Sequence, residues 1–579
     1  MKTVCNPLNL EYRYNYKSGS YFEDKLFREA ADPTMLLFQD TYFLFASMSG
    51  GFWYSDDLCH WQFKETPELP IYDYAPDVRV VDGAVIFSAS KRGEPCTFYK
   101  SENPLTKPFV SVSSPFDFWD PAIFQDDDGK VYLYWGCTNN EPIWGIEMDP
   151  NTLTPIGEKI GLIDENTAVH FWEHSGENNR LQEPKTDLDR KIREHVGTKP
   201  FIEGAYMTKY AGRYYLQYAA PGTEYNIYSD GVYIGDSPLG PFAYQEHNPF
   251  SSKPGGFITG AGHGSTFQDK QGNWWHVSTM RISVHDNFER RIGLFPCDFD
   301  KDGLLYCDQN FADYPFLLPE VQRKEGQNTE PIWMLLSYQK TASASSSQKG
   351  HTPEQGVNED IRTWWAAGAV SEEEWYQIDL GSVKEVYAVQ INFADCNHEM
   401  PWIDVSRMHQ ESMGLRYIET KAQRTAYVLE GSADAQTWIS LKDRHAEEGD
   451  YSHDFIVMNE SVQLRYLRVS KMVLPYRGVP AISGLRVFGS GTGDKPQGVK
   501  SLKAIRLSDG SIELSWASVS NADGYNIRYG IAEDKLYASW QVYGETHLNL
   551  TTINTDKAYY IAVDSFNENG VTQGKIITL

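Results

Sequence analysis

Four acids and a histidine head five similar segments within the first 310 residues. Asp32 opens "DPTMLLFQDTYFLFAS", Asp77 stands in "PDVRVVDGAVIFSAS", Asp120 opens "DPAIFQDDDGKVYLYWG", Glu203 opens "EGAYMTKYAGRYYLQYAA", and His263 opens "HGSTFQDKQGNWWHVST". One acid at the start of a strand is ordinarily solvated or capping. Five polar groups drawn to one place are costly to bury unless they do chemistry. Paired carboxyls among aromatic walls suit glycosidic bond hydrolysis. One must stay protonated to donate to the leaving oxygen, and one must be ionised to activate water or attack the anomeric carbon. Crowding of like charges raises one of the two and keeps the donor loaded. Candidate walls are Phe52, Trp53, Tyr74, Trp119, Trp135 and Trp144.

The elements that must position these groups are hairpins. After each polar residue come a short alternating strand, a turn rich in Gly or Asp, and a strand heavy in Tyr, Trp and Phe. In four copies the ninth position onward is the expected turn residue: Thr41, Gly129, Gly212 and Gly272. The second copy is shorter and turns at Asp82-Gly83. Hairpins recurring in this way suit a β-propeller with one copy per blade. Innermost strands of a propeller converge on its axis, so equivalent early positions share one cavity. The reading predicts that Asp32, Asp77, Asp120, Glu203 and His263 meet there.

The motifs "ADPTM", "FWDPAIF", "FIEGAYM" and "GAGHGSTF", in this order, resemble glycoside hydrolase family 43 over roughly residues 22 to 315. The resemblance implies a five-bladed propeller over residues 1–320 and hydrolysis with inversion. It makes Asp32 the general base, Glu203 the general acid, and Asp120 the group that raises the pKa of Glu203 and holds it in position. It also implies an arginine on the sugar late in blade five. "FERRIGLF" offers Arg290 and Arg291, and alternation favours Arg291. Asp77 matches a second-blade position lining the pocket, and Phe52, Trp53, Trp119 and Trp135 join it as substrate contacts. His263 falls near the axis, where family members hold a calcium ion or a water cluster. Calcium prefers oxygen ligands, so the imidazole would reach a structural Ca2+ through water. No organic cofactor is implied. The substrate is a carbohydrate, with α-L-arabinofuranoside ahead of β-xyloside and β-galactoside. Two long loops, 137–202 and "NPFSSKPGGFITGAG", could close an exo-acting pocket, and the first could equally form a solvated helix at the rim.

Two further stretches have their own grammar. "WYQIDLG", "GSADAQTW" and "RYLRV" resemble a discoidin or coagulation-factor type C jelly roll over residues 333–490. There Trp402, in a long loop able to touch the propeller, is either a sugar platform or a packed core residue. "SIELSWASVSNADGYNIRYG" and "KAYYIAVDSFNENGVT" resemble a fibronectin type III sandwich over residues 497–579, with Trp516 and Tyr560 as core aromatics.

Bulk properties exclude other classes. The 579 residues carry a net charge of -27, against the clustered cations that nucleic acid demands. No run of about 18 apolar residues offers a membrane span. The N-terminus lacks the apolar core of a signal peptide, so the chain is cytosolic or starts after a removed signal. The accessory modules favour the second case and a periplasmic or extracellular enzyme. Seven cysteines form no zinc spacing. Cys297 and Cys307 flank a hairpin and would bridge if its register allowed; free, buried thiols are the ordinary expectation. The rivals are a non-catalytic sugar-binding propeller and a retaining fructoside hydrolase. The latter carries an Asn-Asp-Pro-Asn-type motif, where this chain has Ala31 before Asp32 and Thr34 after Pro33.

Overall fold

The computed structural model describes residues 2–19, 22–70, 73–185, 187–323, 331–411 and 414–579. The chain begins with β1 (Thr3–Val4) and a hairpin, β2 (Arg13–Gly19) and β3 (Phe22–Glu29). Five blades of antiparallel strands follow, the fourth and fifth joined by a parallel pairing of Ser229 with Ala261. Their innermost strands are β4 (Thr34–Phe38), β5 (Asp77–Val81), β6 (Ala122–Gln125), β7 (Glu203–Tyr210) and β8 (Thr259–Gln268). Each inner strand touches the next, and β8 touches β4, so the ring closes after five blades. The third strand of blade 5 is β9 (Arg290–Phe299). The N-terminus seals the ring beside it: β1 pairs with β10 (Phe316–Leu317), and the Asn6 amide donates to the carbonyls of Leu294 and Ala312.

The hairpin turns follow local chemistry. A two-residue turn that matches strand twist needs positive φ at both positions. Gln39-Asp40, Asp82-Gly83 and Ala211-Gly212 supply it. Thr41 is therefore the first residue of the returning strand and pairs with Phe38, not the turn itself. Between blades 3 and 4 the expected rim helix forms as α1 (Asp187–Val196). The other proposed rim loop is instead filler between domains. Phe250–Gly255 is largely buried, and a Cβ on Gly255 would strike the carbonyl of Gln541.

Residues 334–490 form an eight-stranded sheet system around a core that includes Trp365, Tyr376 and Leu467. Residues 503–578 form a three-stranded and a five-stranded sheet, with Trp516 in the shared core. Tyr560 is only half-buried; Tyr559 is the packed neighbour. The long loop of the middle region does reach the propeller: its strand β11 (Gly414–Ile418) pairs with β2 and extends the N-terminal hairpin. Trp402 on that loop is 86% exposed, so it is not a core residue. Cys297 and Cys307 face each other directly across their strands and are free, buried thiols. Among the described residues no helix is long and apolar enough to cross a membrane.

Candidate active site

Each blade has a residue with left-handed backbone just before or within its inner strand: Asp32 (φ 50), Ala75 (φ 52), Asp120 (φ 49), Gly204 (φ 63) and His263 (φ 48). Strain of this kind persists only where surroundings enforce it. Here each kinked N–H is donated to the preceding blade. Asp32 donates to Thr279 Oγ1 (2.8 Å), Ala75 to Ser47 Oγ (2.8 Å), and Asp120 to Ser90 Oγ (2.9 Å). Gly204 donates to Asp120 Oδ2 (3.2 Å) and His263 to Asp230 Oδ1 (2.7 Å). The five kinks thus form a hydrogen-bonded ring at one end of the axis. Ser47, Ser90 and Thr279 all lie near the end of the second hairpin strand, a repeat signal that sequence reading overlooked.

This ring corrects one expectation. The blade-2 equivalent of Asp32 and Asp120 is Ala75, because Ala75-Pro76 matches Asp32-Pro33 and Asp120-Pro121. Asp77 sits two residues further in, level with Thr34. Its carboxylate accepts from Ile123 N (2.7 Å) and Thr34 Oγ1 (3.4 Å) and lies 3.7 Å from Arg79 Nε. It is a buried tie between blades, and burial pushes its pKa up to about 6.

The other polar positions do converge. His263 Nδ1 lies 3.4 Å from Asp32 Oδ1 and 3.7 Å from Asp120 Oδ2. Asp120, Cys137 and Glu203 place an oxygen, a sulfur and an oxygen within 4.8 Å of one another. Asp32 is not part of that cluster and approaches the same His263 Nδ1 as Asp120 does. Both oxygens of Asp32 accept: Oδ2 from Ser47 Oγ (2.6 Å) and Oδ1 from Arg290 Nη1 (3.1 Å). Glu203 accepts from the Tyr228 hydroxyl (2.5 Å) and the Cys137 thiol (3.2 Å).

Burial pushes Asp120 up to about 7; His263 opposes this, while Glu203 and Asp32 reinforce it. Burial disfavours charge on His263, yet Asp32, Asp120 and Glu203 outweigh it and raise its pKa. The Cys137 thiol and Tyr228 hydroxyl are both held well above their ordinary values, by burial first and then by the nearby carboxylates. Glu224 is raised too, by burial and by Glu203. Asp120 therefore titrates in the neutral range. The donor set does not fit a calcium ion held directly: it includes a thiol, and His263 Nδ1 already faces two carboxylates, whereas calcium takes oxygen cages.

The arginine expectation also changes. Arg290 and Arg291 are consecutive on β9, so they point to opposite faces. Arg290 reaches Asp32, while Arg291 turns away and donates to His453 Nε2 (2.7 Å) and the carbonyl of Arg28 (3.0 Å). Three proposed sugar contacts are core. Phe52 stacks on Phe45 at 4.7 Å, Trp53 packs against Phe63, and Trp135 packs against Phe116. Each lies on the second or third strand of a blade, where neighbouring sheets cover the rings. Trp119, Trp144 and Tyr74 stay half-exposed, and Arg92 lies over Trp119 at 5.5 Å. Tyr74 and Trp119 directly precede the kinked Ala75 and Asp120, and Tyr74 lies 5.6 Å from the Arg290 guanidinium. Sequence reading missed Glu29, Cys137, Tyr228, Glu224 and Asp230, which carry no repeat signature.

Residues 26–305 match the family model for glycosyl hydrolases family 43. The chain is 27% identical over 263 residues to xylosidase/arabinosidase 43A of Humicola insolens, covering 41% of this chain and 75% of that protein. It is 27% identical over 154 residues to a beta-xylosidase of Xylanibacter ruminicola, covering 25% of this chain and 45% of that protein, so it spans under half of that relative. A solved thermostable family-43 glycoside hydrolase aligns over 56% of this chain and all of its own, at 21% identity and a TM-score of 0.41. The propeller region, residues 26–305, is thus similar to glycosyl hydrolases family 43.

Proposed function

We propose that the propeller is the catalytic unit of an inverting, exo-acting glycoside hydrolase. It releases a terminal pentose, α-L-arabinofuranose first, from plant-type polysaccharide or oligosaccharide side chains outside the cytoplasm. The observation that carries this reading is the gathering of Asp32 and Asp120 at His263 Nδ1, with Glu203 beside Asp120. Asp32, steadied by Arg290 and Ser47, takes a proton from the attacking water. The water oxygen bonds to the anomeric carbon as the glycosidic C–O bond breaks. Glu203 gives its proton to the leaving oxygen, and solvent exchange resets both groups. Inversion requires about 6.5–9.5 Å between base and acid, room for that water. Asp120 works on Glu203 by charge: two neighbouring carboxyls cannot both ionise cheaply, so the pair keeps one proton near neutrality.

β-Xylosidase is the competing specificity, since one relative is named for both sugars and another for xylose alone; exo-β-galactosidase stands behind it. A propeller that only binds sugar is the rival of another class. Hydrolysis of nitrophenyl α-L-arabinofuranoside, β-xyloside and β-galactoside separates the specificities. NMR of the first-formed anomer tests inversion. Unchanged hydrolysis by Asp32→Asn would remove the catalytic assignment. The downstream modules, read as discoidin-like and fibronectin type III-like, serve as braces in this proposal.

A further inference from the structure

The N-terminal hairpin and the middle region meet in a buried line of alternating charges that ends on Asp32. Arg290 Nη1 is divided between Asp32 Oδ1 (3.1 Å) and Thr223 Oγ1 (3.2 Å), while its Nη2 donates to Glu29 Oε1 (2.7 Å). The second oxygen of Glu29 accepts from Arg416 Nη1 (2.6 Å). Arg416 comes from β11, in the middle region, 387 residues from Glu29 along the chain. Its Nη1 also donates to Asn15 Oδ1 (2.9 Å), and its Nη2 to the Tyr74 hydroxyl (2.5 Å). Glu29, Asp32, Arg290 and Arg416 are all buried. In such surroundings an anion left with one cation draws that cation wholly to itself. Two carboxylates with only Arg290 between them would compete for it. Arg416 supplies the second cation, satisfies Glu29, and leaves Arg290 free to hold Asp32. The same guanidinium fixes Tyr74, whose ring lies near both arginines.

We infer that Arg416 is a positioning residue for the catalytic end of the propeller, acting through Glu29 and Arg290 on Asp32 and directly on Tyr74, so that the middle region completes the active site. This rests on the reading of Asp32 as general base. Asp32 is faced by Arg290 from β9, His263 from β8 and Ser47 from blade 1, with Asp120 and Glu203 near His263.

The test uses full-length variants and the pH dependence of kcat/KM on the best nitrophenyl glycoside. Arg416→Met is expected to lower kcat about 100-fold, the scale of a displaced catalytic group, with a smaller change in KM. Its acid limb moves to higher pH, because Asp32 loses part of its cation. Glu29→Gln combined with Arg416→Met removes both charges, returns Arg290 to Asp32, and brings the acid limb back to or below that of the parent. A structural role would not reverse in this way. Parent kcat and acid limb in folded Arg416→Met would overturn the inference. If that variant does not fold, the double variant decides: a raised acid limb overturns the inference and a restored one supports it. A crystal structure of Arg416→Lys reads the same point without activity. Arg290 still on Asp32, with the introduced ammonium still on Glu29, supports the charge line, whereas Arg290 on Asp32 with Glu29 unpaired overturns it. Asp32→Asn separates the two levels. Parent-like hydrolysis by Asp32→Asn sinks the general-base reading, while loss there with parent-like Arg416 variants sinks only this inference.

Discussion

Blades 2 and 3 begin alike in sequence and end differently in chemistry. Each has a buried Asp at or beside a proline before an alternating strand. Asp120 precedes its proline, occupies the kink, and faces His263 and Glu203. Asp77 follows its proline, starts the strand, and is spent on Ile123 and Thr34 of adjacent blades. A two-residue offset therefore separates a cluster of titratable groups from a structural tie. Both carboxyls are raised by burial, so a shifted pKa alone does not distinguish them. What distinguishes them is the company of other titratable groups.

That contrast is sharpened by substitutions. The largest effect belongs to the cluster: Glu203→Gln is expected to lower kcat about 1,000-fold, within the range of general acid catalysis, read by steady-state kinetics. Next, neighbouring arginines should part company. Arg290→Met should cost about 100-fold in kcat by loosening Asp32. Arg291→Met should leave the kcat of folded enzyme unchanged and cost about 1–3 kcal/mol of stability from carbonyls left unpaired, read by denaturant titration. Equal kinetic losses for both would break the assignment of faces.

Asp120→Asn should abolish most activity yet stabilise the fold at alkaline pH. In the folded protein the Asp120 carboxyl keeps its proton up to about pH 7, whereas unfolded chain releases it near the ordinary carboxylate value. Its contribution to stability is thus present at low pH and lost as pH rises between those two values. The amide escapes that loss, so melting curves should favour the variant by on the order of 2–4 kcal/mol at pH 8 and converge with the parent near pH 4. The smallest effect belongs to Asp77→Asn, with kcat/KM unchanged and stability altered by about 1 kcal/mol. A large kinetic loss there would return Asp77 to the pocket.

The two downstream regions differ in the same spirit. The last one grips the propeller through apolar insertion, with Phe171 and Ile227 buried among Trp516 and Ile527, and through Asn554 on Tyr244. The middle one also packs apolar side chains on the propeller, Phe311 and Tyr314 against Leu335 and Phe488, and adds buried charge, with Arg28 on Asp395 and Arg416 on Glu29. The buried charge of the middle region is the part that reaches Asp32, through Glu29 and Arg290.

Hairpin spacing, turn glycines and strand alternation made the five blades legible in the sequence, because those signals are local and repeat. The polar heads Asp32, Asp120, Glu203 and His263 were legible for the same reason. The choice of Ala75 over Asp77, and of Arg290 over Arg291, was not, since a shift of one or two residues turns a side chain to another face. Phe52, Trp53 and Trp135 looked like sugar walls because exposure is not written in residue type. Cys137, Tyr228, Glu29 and Arg416 came only from the tertiary structure. Their partners lie tens to hundreds of residues away, and such contacts exist only once the ring has closed and β11 has paired with β2. The sequence by itself determined the repeating scaffold and the acids it carries; folding decided which atoms face one another, because charge acts through distance in space and not along the chain.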